Sequence, residues 1–447
     1  MGQAPIWKLL VRFSGPAIVS MVVGASYNIA DAIFVGRLGP QALGALAIAF
    51  PLMLIFMAIG MGTGVGAASL ISRRLGAGDQ EGANRVAGIS IALTVLIGAL
   101  ITLVCLPNLE ALLRLFGASG PVLPLAKSYL SILVTFQALN SFLLIIGSII
   151  RAEGSPIFSS GGLIISAVIN IALDPILIFG LGPIPAMGVA GAATATVVGR
   201  GVGGLFFLVY FISGRTSYRF RPSYFLPKLK ILVQIYRVGI ASIVRMSAMS
   251  LVVALANTTA ASFGVITLAV LGIVFRCARF VFMVCMGLGQ GMLPLVGYNF
   301  GANQKERVGE VVIKAGLVSF TWGLLWWIVF MLFPSQVMSV FNTDPQFLLE
   351  GTQALRIFVL FFFAVGLQIV VTFFFQGIGK GLPSLVLASA RQVIFLVPGL
   401  LIFPQMFGLI GLWIAFPVAD ALSIMLTLFW TSVEFRRQGI RFRLRYG

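Results

Sequence analysis

Apolar runs of about 20 residues or longer, the length a bilayer core demands, recur from one end of this 447-residue chain to the other. They predict α-helical spans near 8–36, 42–75, 84–107, 121–150, 155–180, 187–213, 238–262, 266–300, 308–333, 350–378, 382–404 and 409–433. Only 9% of the residues are charged, against roughly a quarter in water-soluble domains. With a mean hydropathy of +1.07, the chain lacks the polar surface to cover itself in water. It needs lipid. The first run is long enough to stay as a span and not be cleaved as a signal.

The net charge of +18 invites a nucleic-acid reading, but the positions of the charges argue for topology. With the N-terminus inside, one side collects Lys8, Arg12, Arg73, Arg74, Arg85, Arg151, the basic stretch 215–230, Lys305, Arg307 and the arginines of the tail. The other side holds Arg37, Arg114, Lys127 and Arg356. That asymmetry expects both termini in the cytoplasm of a prokaryotic inner membrane, with the lipid bilayer and no nucleic acid as partner. Cys105, Cys277 and Cys285 sit in apolar runs, none in a CxxC pair, and read as small core residues. There is no histidine, which excludes histidine metal ligands and histidine general bases. Without a Walker-type glycine loop, ATP is not expected to drive the protein.

Residues 36–81 superpose without a gap on 261–306 at an offset of 225: Gly39 on Gly264, Gly62 on Gly287, Gly66 on Gly291, Gly76 on Gly301 and Glu81 on Glu306. A self-match at half the chain length signals a duplicated transporter fold. It predicts a lobe over 1–213, a basic cytoplasmic linker over 214–237, a second lobe over 238–435 and a basic tail over 436–447. The glycines at 60, 62, 64, 66 and at 287, 289, 291 suit close helix approach or local unwinding, two readings the spacing does not separate.

The duplication did not copy the acids. Asp31 aligns with Ala256 and Asp174 with Leu401. A carboxylate inside a span costs several kcal/mol unless neutralised or paired, so two in one half are a functional signal. Asp31 lies roughly 10 Å from the outer end of the first span at 1.5 Å per residue, and Asp174 and Thr196 lie at similar depth. Asn170 is one turn before Asp174, and Tyr27 one turn before Asp31. Pro16 interrupts the first span lower down and marks a hinge. In the second half Asp420 can pair with Arg391 or with the couple Arg276 and Arg279 as a structural ion pair. Cation binding at Asp420 is the alternative, opposed by the surrounding arginines.

IADAIFVGRLGPQALGALAIAFP, LISRRLGAGDQEGA, IIRAEGSP, NIALDPILIFG, GVAGAATAT, QGMLPLVGYNFGANQKERV and GLWIAFPVAD together resemble the multidrug and toxic compound extrusion (MATE) family over nearly the whole chain. The two acids of the first half resemble its DinF-like prokaryotic branch. The resemblance implies two six-helix bundles around a central cavity, and a cation site at Asp31, Asn170, Asp174 and Thr196 with Tyr27 beside it. Thr194 competes with Thr196 in GAATAT. The NorM-like branch carries an acid in its seventh span; here that span reads SIVRMSAMSLVVALAN, with Arg245 and no acid. The activity implied is export of drug-like organic cations or amphiphiles in exchange for H⁺ or Na⁺, by a monomer without cofactor. The rivals are a lipid-linked oligosaccharide flippase, with intramembrane arginines as phosphate binders, a membrane enzyme and a channel. An enzyme lacks a convergent nucleophile and base, and a channel would want polar rings on several helices.

Overall fold

The computed structural model describes residues 1–440, all of them helical or in short connections apart from one isolated bridge between Leu181 and Ile184. The basic tail expected over 436–447 lies outside the described residues from 441 onward. Sixteen helices follow in order: α1 (Ile6–Gly36), α2 (Pro40–Gly76), α3 (Gln80–Cys105), α4 (Leu109–Leu115), α5 (Val122–Thr135), α6 (Gln137–Ala152), α7 (Pro156–Phe179), α8 (Val189–Ile212), α9 (Leu229–Phe263), α10 (Val265–Gly301), α11 (Lys305–Leu332), α12 (Pro334–Ser339), α13 (Pro345–Phe358), α14 (Phe362–Gly377), α15 (Gly381–Ser389) and α16 (Val397–Gln438).

Nine stretches among the described residues are long and apolar enough to cross a membrane singly, and two more spans arise from the bent pairs α5–α6 (53°) and α13–α14 (47°). The stretch Gly381–Gln438 counts as one of the nine, yet it cannot be one straight rod. Ala415 Cβ lies 3.4 Å from where a Cβ on Gly399 would sit, whereas sixteen residues of straight helix would separate them by about 24 Å. The chain doubles back at Gly408, whose φ of 60° and ψ of −140° suit only glycine. Nine plus two plus this division gives twelve spans, the expected number. The arm before Gly408 runs from α15 through a seven-residue π-helical segment, Ala390–Leu396, into the start of α16.

The repeat is visible in the irregularities as well as in the spans. The bend at Phe136 falls on Phe361 at the offset of 225, and the short helices α4 and α12 correspond in the same way. Glycine with positive φ precedes α2 (Gly39, 115°) and α10 (Gly264, 132°), where an L side chain would be strained.

Internal contacts divide the chain into two compact units: Val19–Ile243, and Met1–Ile18 together with Val244–Gly447. These units do not follow the repeat boundary, and the glycines supply the physical reason. In the unit Val19–Ile243, a Cβ on Gly62 would press on the Gly239 carbonyl at 2.7 Å, and one on Gly66 would stand closer still to the Ile235 carbonyl. In the other unit Gly287 lies against Ile18, its missing Cβ 2.8 Å from that Cα, and Gly291 against Ser14. Adding 225 to Ser14 and Ile18 gives Gly239 and Ile243. The same groove therefore occurs twice, each filled by the first part of a helix from the opposite repeat. Close helix approach is the role these glycines play.

The linker is tied to the first repeat. Glu153 accepts hydrogen bonds from Tyr210 Oη (2.6 Å), Thr216 Oγ1 (2.8 Å) and the backbone N–H and hydroxyl of Ser217 (both 2.9 Å). A half-buried carboxylate with four donors is well satisfied without a cation.

Candidate functional site

The site of the first repeat is built on α7 and α8, which pack along most of their length. Gly199 allows it: a Cβ there would stand 3.2 Å from Asn170 Cβ and closer still to the Ser166 carbonyl. With that side absent, Asn170 Nδ2 reaches across to donate to Thr196 Oγ1 at 3.2 Å, and along its own helix to Asp174 Oδ1 at 3.3 Å. Thr196 is thus the threonine that meets Asn170. Thr194 turns its hydroxyl back to the Ala190 carbonyl at 2.8 Å.

Burial is near complete: Asp31 is 7% exposed, Asn170 2%, Asp174 0% and Thr196 5%. Asp31 on α1 lies within the electrostatic field of Asp174, and Tyr27 is half-exposed one turn before Asp31. With its amide N–H spent on Asp174 and Thr196, Asn170 keeps its oxygen free. Asp31 Oδ1, Asn170 Oδ1 and Asp174 Oδ2 are all buried without a hydrogen-bond donor. Such oxygens are costly to bury. Pro175 adds a fourth acceptor, because its missing N–H deprives the Ile171 carbonyl of its regular helical donor. Two carboxylates and neutral oxygens that lack donors fit a proton or a hard cation that prefers oxygen ligands.

Two groups that the sequence reading left out of the site belong to its surroundings. Tyr129 on α5, 3% exposed, feels the charges of Asp31, Asp174 and Arg200. Arg200, 8% exposed, stands one turn beyond Thr196 on α8 and is the cation that Asp31 feels. The i,i+4 spacing from Thr196 was the available signal for Arg200. Nothing in LAKSYLSIL sets Tyr129 apart from a packing tyrosine. Pro16 lies inside α1, which runs unbroken through it and passes between the two units two residues later.

In the second repeat Asp420, fully buried on α16, accepts a hydrogen bond from Arg391 Nε, and the guanidinium stacks 5.2 Å from the Phe282 ring centre. Of the two pairings open to Asp420, the structure has the one with Arg391, and Arg276 and Arg279 take no part. They lie on the exposed face of α10, while Arg391 sits in the π-helical segment directly across from Asp420. Arg245 stacks over Phe373 at 5.5 Å, with one buried terminal nitrogen lacking an acceptor.

Comparison with known proteins supplies the family. Its model, MatE, matches twice, over residues 16–176 and 241–401, two stretches displaced by 225 (241 minus 16). The chain belongs to the MatE family. The multidrug export protein MepA of Staphylococcus haemolyticus is 28% identical over 431 residues, covering 96% of this chain and 93% of its own. A multidrug resistance MATE transporter of the MOP superfamily, solved outward-facing, is 30% identical with a TM-score of 0.90, covering 98% of this chain and 97% of its own. A MATE protein solved in a bent conformation matches at 30% identity and a TM-score of 0.91, with the same coverage. The MatE chain is accordingly a multi-pass membrane protein of twelve spans, similar to relatives named for multidrug export.

Proposed function

We propose that this MatE protein is an antiporter that exports drug-like organic cations or amphiphiles by alternating access, driven by H⁺ or Na⁺ entering at Asp31, Asn170, Asp174 and Thr196. One observation carries the reading: three buried oxygens, on Asp31, Asn170 and Asp174, lack a donor. Two carboxylates with few donors in a poorly hydrated place need a cation or a proton between them. An exporter couples if the occupancies of that cation and of the substrate oppose each other. Asp31 sits on α1, a helix with Pro16 beside the residue where it changes unit. Bending at Pro16 is the way the site's occupancy reaches the rest of the molecule. The lysine and arginine asymmetry supports cytoplasmic termini in a prokaryotic inner membrane.

Proteoliposomes loaded with a fluorescent organic cation, given a pH gradient or a Na⁺ gradient separately, test the proposal. Gradient-driven export with counter-movement of one cation is the expected result. Export indifferent to both gradients would sink it. The flippase reading draws on the arginines in the spans of the second repeat, and requires instead that a phosphate-bearing lipid cross the bilayer.

A further inference from the structure

The second repeat carries positive charge on a face of α10 that the exporter reading leaves unused. That helix buries Val270, Val274, Cys277 and Val281, and exposes Gly272, Arg276 and Arg279 on the opposite side. The two arginines stand eleven and fourteen residues from Val265, roughly 16 and 21 Å along a helix of 37 residues. They are i,i+3 neighbours, so their guanidinium groups share one face. None of the ion pairs among the described residues includes either of them. Asp420 is taken by Arg391, and Glu310 and Glu434 by Lys314 and Lys380.

Charge at that depth is unfavourable against hydrocarbon and accumulates where a span meets water or a counter-ion. The repeat shows that the scaffold does not ask for it, since the counterparts of Arg276 and Arg279 are Pro51 and Leu54. Beside the arginines lies an apolar wall. Phe280 is 45% exposed, with Trp326 edge-on at 5.1 Å and Trp322 at 6.1 Å.

We propose that Arg276 and Arg279 form a binding subsite for the carboxylate or phosphate of a transported amphiphile, whose apolar body lies along Phe280, Trp322 and Trp326. Two guanidinium forks on one face match a two-oxygen anion and relieve each other's repulsion when it binds. The inference rests on the exporter reading for what is carried, and narrows it: substrates with an acidic group, zwitterions included, are accepted along with cations.

The test is equilibrium binding, with no gradient, to the full chain in phosphatidylcholine nanodiscs. The probes are 1-pyrenebutyrate and 4-(1-pyrenyl)butyltrimethylammonium, which share a fluorophore and differ in charge. Arg276→Gln with Arg279→Gln is expected to weaken pyrenebutyrate about tenfold or more while leaving the ammonium within about twofold. Arg276→Lys with Arg279→Lys should retain much of the anion binding. Unchanged melting temperatures would certify the fold of both variants. Equal pyrenebutyrate binding by wild type and the glutamine variant would overturn the proposal. So would loss of wild-type binding on partial replacement of the lipid by phosphatidylglycerol, which would make the arginines a bilayer contact. Arginine-dependent binding without cation-driven flux would instead defeat the antiporter reading alone.

Discussion

The two repeats share their helices, bends and grooves, and differ in the charges placed inside them. The first holds Asp31 and Asp174 with oxygens lacking donors; the second holds Arg245, Arg276, Arg279 and Arg391, of which Arg391 pairs with Asp420. A duplicated scaffold thus carries different charges in its two copies. Features common to both copies belong to packing, and those present in one belong to chemistry. Gly62 and Gly287 are of the first kind, Asp31 and Arg276 of the second.

The comparison breaks most sharply at Asp31. Asp31→Asn keeps the volume and removes the ionisable group, so gradient-driven export should fall to background while expression and melting temperature stay as in wild type. Normal coupled efflux by that variant would remove the first repeat from the mechanism. Next in size, Asp420→Asn should cost about 3 kcal/mol or more of stability, because Arg391 is left charged and unpaired in a buried place. A lower melting temperature with ion coupling intact in the surviving protein is the expected pattern. Selective loss of coupling in a well-folded variant would move the cation site into the second repeat.

Gly62→Ala and Gly287→Ala sharpen the comparison from its symmetric side. Each adds a methyl where a backbone atom of the inserted helix stands under 3.0 Å away, so each should lose about 1–3 kcal/mol. Clearly unequal losses in thermal unfolding would show that the two grooves are not equivalent. The smallest effect is expected at Glu110, whose carboxyl is held below its ordinary range by the Lys127 ammonium and then the Arg114 guanidinium. Its folded value is depressed, so its contribution is present above the ordinary glutamate range and is lost as pH falls through the folded value. The group is solvent-exposed, and Glu110→Gln should leave the melting temperature within error at neutral pH in moderate salt.

Much of this was legible in the residues, for stated reasons. Span positions follow from apolar length, and the repeat from glycine identity at one offset. The level shared by Asp31, Asn170, Asp174 and Thr196 follows from helical rise. The choice of Thr196 over Thr194 was not legible, since it depends on which side of α8 the absent side chain of Gly199 brings toward Asn170. The bends at Phe136 and at Val359–Phe361 carry neither proline nor glycine to announce them. The partner of each glycine groove was hidden too, because a small residue states that something comes close and not what. Likewise composition does not reveal that Arg391, and not Arg276 or Arg279, meets Asp420, nor that it sits in a π-helical segment.

The exchange of helix ends also orders events during synthesis. Residues 6–18 leave the ribosome first, yet the groove they fill lies at Gly287 and Gly291, 269 residues after Ile18 at the nearer glycine (287 minus 18). At about 5–20 residues per second, the leading segment waits roughly 15–50 s for its seat to be made. The continuous unit Val19–Ile243 can therefore close first, while residues 6–18 wait for the unit made after it. A nascent chain arrested before Gly287 should leave a cysteine at Ser14 open to a thiol reagent, and one arrested after α11 should shield it.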